Sequence, residues 1–552
     1  MATPSGTVKI APSGIAGAGR GLFACQKFEP GDVVASVDRP FVAELEMDRM
    51  EDTCAWCFQR GETDPDARAK AAMMGMPAGF IETKACAGCH RASYCSKTCQ
   101  SRAWKREHKY ECGVIAPPRP ELPESVRAAI KLLGRLKAAD PKGAEHKKLL
   151  DLLMEFRPAG ADTSLLETFK EQDKQKFDDF NMLAWAAWSY CGKPGNYGAV
   201  DSRAGATGFV FNILCNSFTL ASPVDGVKFG IGFDNTICAA NHSCDPNVVM
   251  TFLQPKVELR ALRPIKSGEE IFVKYVDVTN PIGVRQAELK QTYFFDCKCP
   301  KCLKGTGAAE DRFAESPEEL PSRYFAIADT LIKKYDAQLS HFLAAPVETA
   351  TTAQKRVAAM EAEAFSISGT TLGGGESVEN NEENARNALK MCLDSGMWSL
   401  GRQPVPQLCR QLFQMYLEGG SPYRAFRIGL KAYFEILPKV SPQEFYPDRI
   451  IDTWGLATVT NVLCGPAFAE IYGELQASGV DLRVVFIGLL FEVYDQLPRM
   501  YGLTSPFGKV MENTYKQIVA GMGMSEADLR DRVKQTWPSL ETAARSIDLL
   551  KD

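Results

Sequence analysis

The distribution of cysteine constrains this chain more than any other feature. Of eighteen cysteines, seven fall between Cys54 and Cys112 and three more lie within CKCPKC at 297–302, whereas only Cys392, Cys409 and Cys464 follow Cys302. Core cysteines scatter and metal ligands cluster. The opening MATPSGTVKIAPSG lacks the continuous apolar stretch of a signal peptide, and no uninterrupted apolar run reaches membrane length, since even VVFIGLLFEV is short and carries Glu492. These features predict an intracellular protein, cytoplasmic or nuclear, without a membrane partner. In such a reducing compartment clustered thiols favour metal ligation over disulfides.

The first cluster reads CAWC (Cys54, Cys57), CAGC (Cys86, Cys89), YCSKTC (Cys95, Cys99) and HKYEC (His108, Cys112). Zinc takes four nitrogen or sulfur ligands in a tetrahedron, and a short CxxC loop lets two thiolates reach one ion. Four pairs make eight ligands and two closed sites. Spacings of four put Cys95 with Cys99, and His108 with Cys112, on one face of a helix predicted over Ser96–Tyr110, with Trp104 turned toward the metals. A unit of about 60 residues with few large aliphatics sits near the size at which an apolar core becomes marginal, so zinc supplies much of its stability. The pattern resembles a MYND zinc finger. The resemblance implies interleaving: Cys54, Cys57, Cys95 and Cys99 on one ion, and Cys86, Cys89, His108 and Cys112 on the other. The stretch from Phe58 to Ala85 is longer than the spacer usual in such fingers.

At 552 residues the chain exceeds the roughly 250–300 at which a single core stops growing, so several domains are expected. Its 45% hydrophobic and 24% charged residues are ordinary for a globular protein, and a net charge of -4 gives no general attraction to nucleic acid or membrane.

A second set of motifs recurs in fixed order. GAGRGLFA (Gly17–Ala24) precedes an EPGD turn, FNILCNSFTL (Phe211–Leu220) precedes NHSCDPN (Asn241–Asn247), and GEEIFVKYVD, ending a strand near Tyr275, precedes YFFDCKCPKC. Together they resemble the signature of SET-domain lysine methyltransferases, and with the finger they resemble the SET and MYND family, in which the finger is inserted into a split SET domain. The implied fold is α+β and multidomain: a β-rich SET fold with the inserted finger, a post-SET zinc site and an all-helical, tetratricopeptide-like C-terminal domain. The expected division is 1–50 for the first SET part, 51–113 for the finger, 114–205 for a helical insertion, 206–280 for the SET core, 281–304 for the post-SET segment and 305–552 for the helical domain.

The run Cys297, Cys299 and Cys302 is one ligand short of a tetrahedron. In the resemblance the fourth ligand is the cysteine of NHSC, so Cys244 would close a third zinc site and His242 would not be a ligand. The family implies S-adenosylmethionine as methyl donor, with Ala18, Gly19, Arg20, Asn241, His242, Tyr275 and Phe295 as contacts and with Asn216 and Ser217, on a CNSF strand, nearby. Tyr275 and Tyr293 are the implied catalytic tyrosines, and Phe294 is expected in the core. Deprotonating a lysine of pKa near 10.4 costs roughly 4–5 kcal/mol at pH 7, and an aromatic, apolar channel lowers that cost by disfavouring the charged form. A phenol with pKa about 10 is a poor base at neutral pH, so Tyr275 orients the amine and water takes the proton.

Helical periodicity marks SVRAAIKLLGRLKAAD, HKKLLDLLMEF and FNMLAWAAWSY, with GKPGNYG as a loop and Trp185 and Trp188 in the core. Amphipathic stretches from Ala314 onward predict the helical domain, with GTTLGGGESVENNEEN as a loop. The basic run KTCQSRAWKREHK reads first as a solvated helix face; a nucleic-acid contact is the weaker reading. The predicted function is lysine methylation of a histone or non-histone protein by a monomer, with a proline-rich peptide as a further partner for the finger. The alternative is a scaffold or transcriptional co-regulator with little turnover, which would need the zincs but not Tyr275.

Overall fold

The structure is a computed structural model and describes residues 6–15, 18–61, 81–118, 121–140, 174–192, 203–221, 228–343, 346–369 and 381–551, with scattered positions from 142 to 171. Most of the long spacer after Cys57, most of HKKLLDLLMEF, GKPGNYG beyond Gly192 and most of GTTLGGGESVENNEEN lie outside the described residues. Among the described residues, no helix is long and apolar enough to cross a membrane.

Three small sheets form the β-rich part. The first has the order β1 (Val8–Pro12), β2 (Arg20–Ala24), β12 (Glu270–Val273), β9 (Asn241–His242). The second runs β10 (Val248–Phe252), β11 (Val257–Ala261), β3 (Val33–Val37), and the third β4 (Val42–Leu45), β8 (Lys228–Phe233), β7 (Phe218–Ala221). A two-stranded ladder of β5 (Lys84–Ala85) and β6 (Ser93–Tyr94) belongs to the finger. Pairing is antiparallel except between β12 and β9, where Phe272 faces Asn241 and Val273 faces His242. That parallel pair brings two distant motifs side by side. In β11 every residue is buried, including Glu258 and Arg260, because the two share one face at a spacing of two and pair at 2.6 Å.

The finger helix starts at Ser96, whose hydroxyl accepts the Cys99 amide hydrogen at 3.1 Å as an N-cap. It runs through α1 (Lys97–Ala103), a π-turn at Trp104–His108 and α2 (Lys109–Ile115). Cys95 therefore precedes the helix instead of lying on it, and Trp104 is 47% exposed, its ring edge-on to that of His108 with centroids 6.0 Å apart. Finger and sheets share one core: Phe58 meets Phe252 edge-on at 5.3 Å, within a cluster that includes Leu22, Val34, Tyr94 and Leu259.

The insertion contributes α3 (Glu124–Ala138), α4 (Lys174–Tyr190) and α5 (Arg203–Asn216). Periodicity places the apolar residues of α3 inside correctly but says nothing of Arg127, Lys131 and Arg135, which are buried too, one turn apart on the face toward β4 and the finger. Trp188 packs against this core, whereas Trp185 is 45% exposed. The expected CNSF strand is corrected: α5 continues through Asn216 and the strand begins at Phe218, because Phe209–Ile213 are buried all round the helix, which packs on α3 and α4.

After α6 (Ile282–Tyr293) the described residues from Phe325–Lys334 to Glu526–Ser546 form helices and their connections, with Pro447–Leu463 packed along Leu482–Met500. These helices close on the sheets: Gln403 donates to the Thr279 hydroxyl at 2.8 Å, Lys274 lies 3.7 Å from Asp448, and Val249, Leu253 and Leu262 enter the helical core.

Candidate active site and metal centres

Among the described residues, twelve candidate ligand atoms gather in three sets, each within 4.8 Å: Cys54, Cys57, Cys95, Cys99; then Cys86, Cys89, His108, Cys112; then Cys244, Cys297, Cys299, Cys302. All eighteen cysteines are free thiols. Zinc fits each set, since bonds of about 2.3 Å to sulfur space tetrahedral ligands roughly 3.8 Å apart, and the structure holds Cys57 and Cys95 at 3.7 Å, Cys86 and Cys112 at 3.8 Å, and Cys244 and Cys302 at 3.5 Å. The local turns explain how. In each finger CxxC, the amide of the residue after the second cysteine donates to the carbonyl of the first, and that residue, Phe58 or His90, is left-handed with φ 61° or 54°. The chain thereby doubles back and aims two sulfurs at one point. The long spacer does not separate Cys54 and Cys57 from Cys95 and Cys99.

The second set is anchored beyond the finger. His108 Nδ1 lies 2.8 Å from Glu111, Glu111 lies 3.2 Å from Lys131 of α3, Lys131 lies 2.6 Å from Glu44 of β4, and Glu44 lies 2.9 Å from Arg127. All are buried. Burial alone would raise the Glu111 carboxyl, but Lys131 and the hydrogen bond with His108 hold it down at about 2, and burial with the charge of Glu111 pushes Glu44 up to about 7. A carboxylate behind a ligating histidine fixes its ring orientation and tautomer. Nearby, Arg39 lies over the Trp56 ring at 4.3 Å and pairs with Glu107 at 3.0 Å.

At the centre of the sheets, Asn241 donates both amide hydrogens, to the Arg20 carbonyl and to Glu270 Oε1, each at 2.8 Å. Glu270 also accepts from the Ser13 hydroxyl at 2.8 Å. Gly19 turns the chain into β2 with φ +70°, and Gly21 passes so close that a Cβ there would fall 2.1 Å from Glu270 Oε1. Ala18, Gly19 and Arg20 are thus brought beside Asn241. Asn247 secures the turn after NHSC, donating to the Glu270 carbonyl at 2.8 Å and accepting the Phe272 amide at 2.7 Å.

Tyr275 lies two residues beyond β12. Its hydroxyl donates to the Ala240 carbonyl at 2.9 Å, its ring stands 4.8 Å from that of Tyr293, and His242 lies between it and Phe295 at 5.3 and 6.1 Å. Burial pushes both phenols up, Tyr293 to about 12 and Tyr275 further. Phe294 caps α6 in a left-handed conformation and packs at 5.5 Å against Phe211, in the core. Asn216 donates its amide back to the Asn212 carbonyl at 2.8 Å, and Ser217 follows at the end of α5.

Sequence reasoning missed Glu270, Ser13, Asn247, Glu111 and Lys131. Glu270 and Asn247 stood within the quoted GEE and DPN stretches, and their hydrogen-bonding types were the available signal. For Lys131, which reads as the outer face of an amphipathic helix, no local signal existed.

A SET domain family profile matches residues 19–276. The chain is 30% identical over 228 residues to histone-lysine N-methyltransferase SMYD3 of Mus musculus, covering 39% of this chain and 48% of that protein. To N-lysine methyltransferase SMYD2 of Homo sapiens it is 29% identical over 289 residues, 52% of this chain and 58% of that one. To histone-lysine N-methyltransferase ASHR1 of Arabidopsis thaliana it is 26% identical over 285 residues, 51% and 53% of the two chains. The aligned region thus spans 48% to 58% of these relatives' length. A crystal structure of the SET domain of LSMT bound to lysine and AdoHcy aligns over 96% of this chain and 95% of that one, at 11% identity and a TM-score of 0.28. With the matched domain and three sets of candidate zinc ligands, the chain is similar over this region to SET and MYND proteins.

Proposed function

We propose that the protein is an S-adenosylmethionine-dependent protein lysine N-methyltransferase. The observation that carries this reading is the paired placement of Tyr275 and Tyr293 beside the knot of Asn241, Arg20 and Glu270. The donor supplies a methyl group on a sulfonium. Asn241 spends both amide hydrogens on Arg20 and Glu270, so it offers a ligand its carbonyl oxygen, an acceptor suited to the ammonium of the donor's amino-acid end. Ala18, Gly19 and Arg20 offer backbone groups beside it, Phe295 offers an aromatic face, and Asn216 and Ser217, at the end of α5, are the further contacts of this reading.

Tyr275 holds the acceptor. Its hydroxyl hydrogen is given to Ala240, so its lone pairs are the part left to accept from a lysine amine or from the polarised C–H groups of the methyl. The ring pair of Tyr275 and Tyr293 lines a channel that disfavours an ammonium ion, easing loss of its proton to water. Transfer is then an in-line displacement set by alignment, in which the carbon–sulfur bond breaks as the carbon–nitrogen bond forms.

The substrate in this reading is a lysine-bearing protein, histone or not, and the compartment cytoplasm or nucleus. The domain division given above is part of it. The exposed aromatic face of Trp104 favours a proline-rich peptide as partner of the finger. The test is methyl transfer from labelled S-adenosylmethionine to a lysine-containing proteome. Incorporation by the wild type that disappears in Tyr275→Phe supports the reading, and equal incorporation by both removes Tyr275 from it. Absence of transfer by a zinc-loaded, folded chain favours the scaffold.

A further inference from the structure

The ring of His242 is 5% exposed and makes a polar contact on each side. Nδ1 accepts the backbone N–H of Tyr275 at 3.0 Å. A ring nitrogen that accepts carries no hydrogen, so the neutral imidazole bears its proton on Nε2. Nε2 lies 3.3 Å from Cys244 Sγ, and that sulfur lies 3.5 Å from Cys302 Sγ. One short chain of contacts therefore runs from the third zinc site through a single imidazole to the main chain of Tyr275, whose other end is fixed by the bond to Ala240.

We propose that His242 is a positioning residue that couples the third zinc site to Tyr275: it donates from Nε2 to the Cys244 thiolate and holds the Tyr275 amide with Nδ1. A metal-bound thiolate is a fixed, charged acceptor, and hydrogen bonds to charged groups are the stronger kind. With the sulfur fixed, the ring plane is fixed, and with it the point from which Tyr275 hangs. Phe295, 6.1 Å from the same ring, shares that placement. The role rests on the methyltransferase reading only for its consequence in catalysis; the coupling itself is a property of the folded, zinc-loaded chain.

Two substitutions separate the ends of the bridge. His242→Asn keeps an acceptor near the place of Nδ1 and loses the donor to Cys244, whereas His242→Gln keeps a donor near the place of Nε2 and loses the acceptor for Tyr275. Zinc release to a chelating dye, the 15N amide resonance of Tyr275 (assigned by its loss in Tyr275→Phe) and steady-state kinetics would be read on the whole chain. In His242→Asn one zinc in three should leave about tenfold faster, as for loss of an outer-shell partner, and the Tyr275 resonance should move. In His242→Gln release should stay as in wild type while the resonance moves and kcat falls about tenfold, with KM for the donor within roughly threefold. Wild-type release from His242→Asn, or an unmoved Tyr275 resonance in His242→Gln, overturns the coupling. Should His242→Asn not fold, the resonance in His242→Gln decides. A wild type without methyl transfer would defeat the functional reading and leave the zinc and resonance measurements to judge the bridge.

Discussion

Asn241 and Glu270, 29 residues apart in sequence, meet at 2.8 Å between amide and carboxylate, and the same amide binds the Arg20 carbonyl. Glu270 thus sets which way the Asn241 amide points. In Glu270→Ala the amide loses a charged acceptor, a cost of about 1–3 kcal/mol. Calorimetry should show S-adenosylmethionine binding weakened by roughly tenfold or more. Gly21→Ala, whose new Cβ would lie 2.1 Å from Glu270 Oε1, should weaken binding in the same sense. Unchanged affinity in both variants would remove this carboxylate from the site.

Lys131 joins finger and sheet by standing between Glu111 and Glu44 at 3.2 and 2.6 Å. Lys131→Met leaves two buried carboxylates without their shared cation, and breaking a buried pair this way costs about 3–5 kcal/mol. The expected outcome is a lower denaturant midpoint for unfolding of finger and sheets together, followed by tryptophan fluorescence. An unshifted midpoint would show that the ion chain contributes nothing.

Glu111 stands behind His108 at 2.8 Å. Glu111→Gln removes the charge that orients the histidine, so one zinc of the second set should bind about 10–100-fold more weakly. Competition with a metal-binding dye checks this. Full metal analysis of the wild type should return three zinc ions per chain, and removal of all three should abolish donor binding.

Burial holds the phenols of Tyr275 and Tyr293 protonated, the latter up to about 12. A raised phenol pKa means that neither tyrosine ionises below about pH 10, so of these two phenols and the substrate lysine only the lysine loses its proton as pH rises toward about 9. The log of kcat/KM should climb with a slope near one from about pH 7 to 9, and Tyr293→Phe should lower the line without bending it. An inflection lost in Tyr293→Phe would instead assign a titration to that tyrosine.

Much of the site was legible because its chemistry is local. A CxxC turn or an NHSC loop needs particular residue types at fixed spacing, and the sequence displays both. Cys244 with Cys302, or Tyr275 with Tyr293, required long-range pairing that only the resemblance supplied. The insertion was least legible: Arg127, Lys131 and Arg135 look like the outer face of an amphipathic helix, and they are buried because β4 and the finger supply carboxylates and carbonyls to meet them. Strand propensity misled at Asn216, where burial against neighbouring helices extends α5. Trp185 shows the reverse, an apolar residue at helical spacing that the packing leaves exposed.

The most direct measurement is calorimetric titration of the zinc-loaded chain with S-adenosylmethionine. One donor bound per chain, with affinity lost in an Asn241→Ala variant that keeps its three zincs, is the predicted result. A folded, fully metallated wild type that takes up no donor would contradict it.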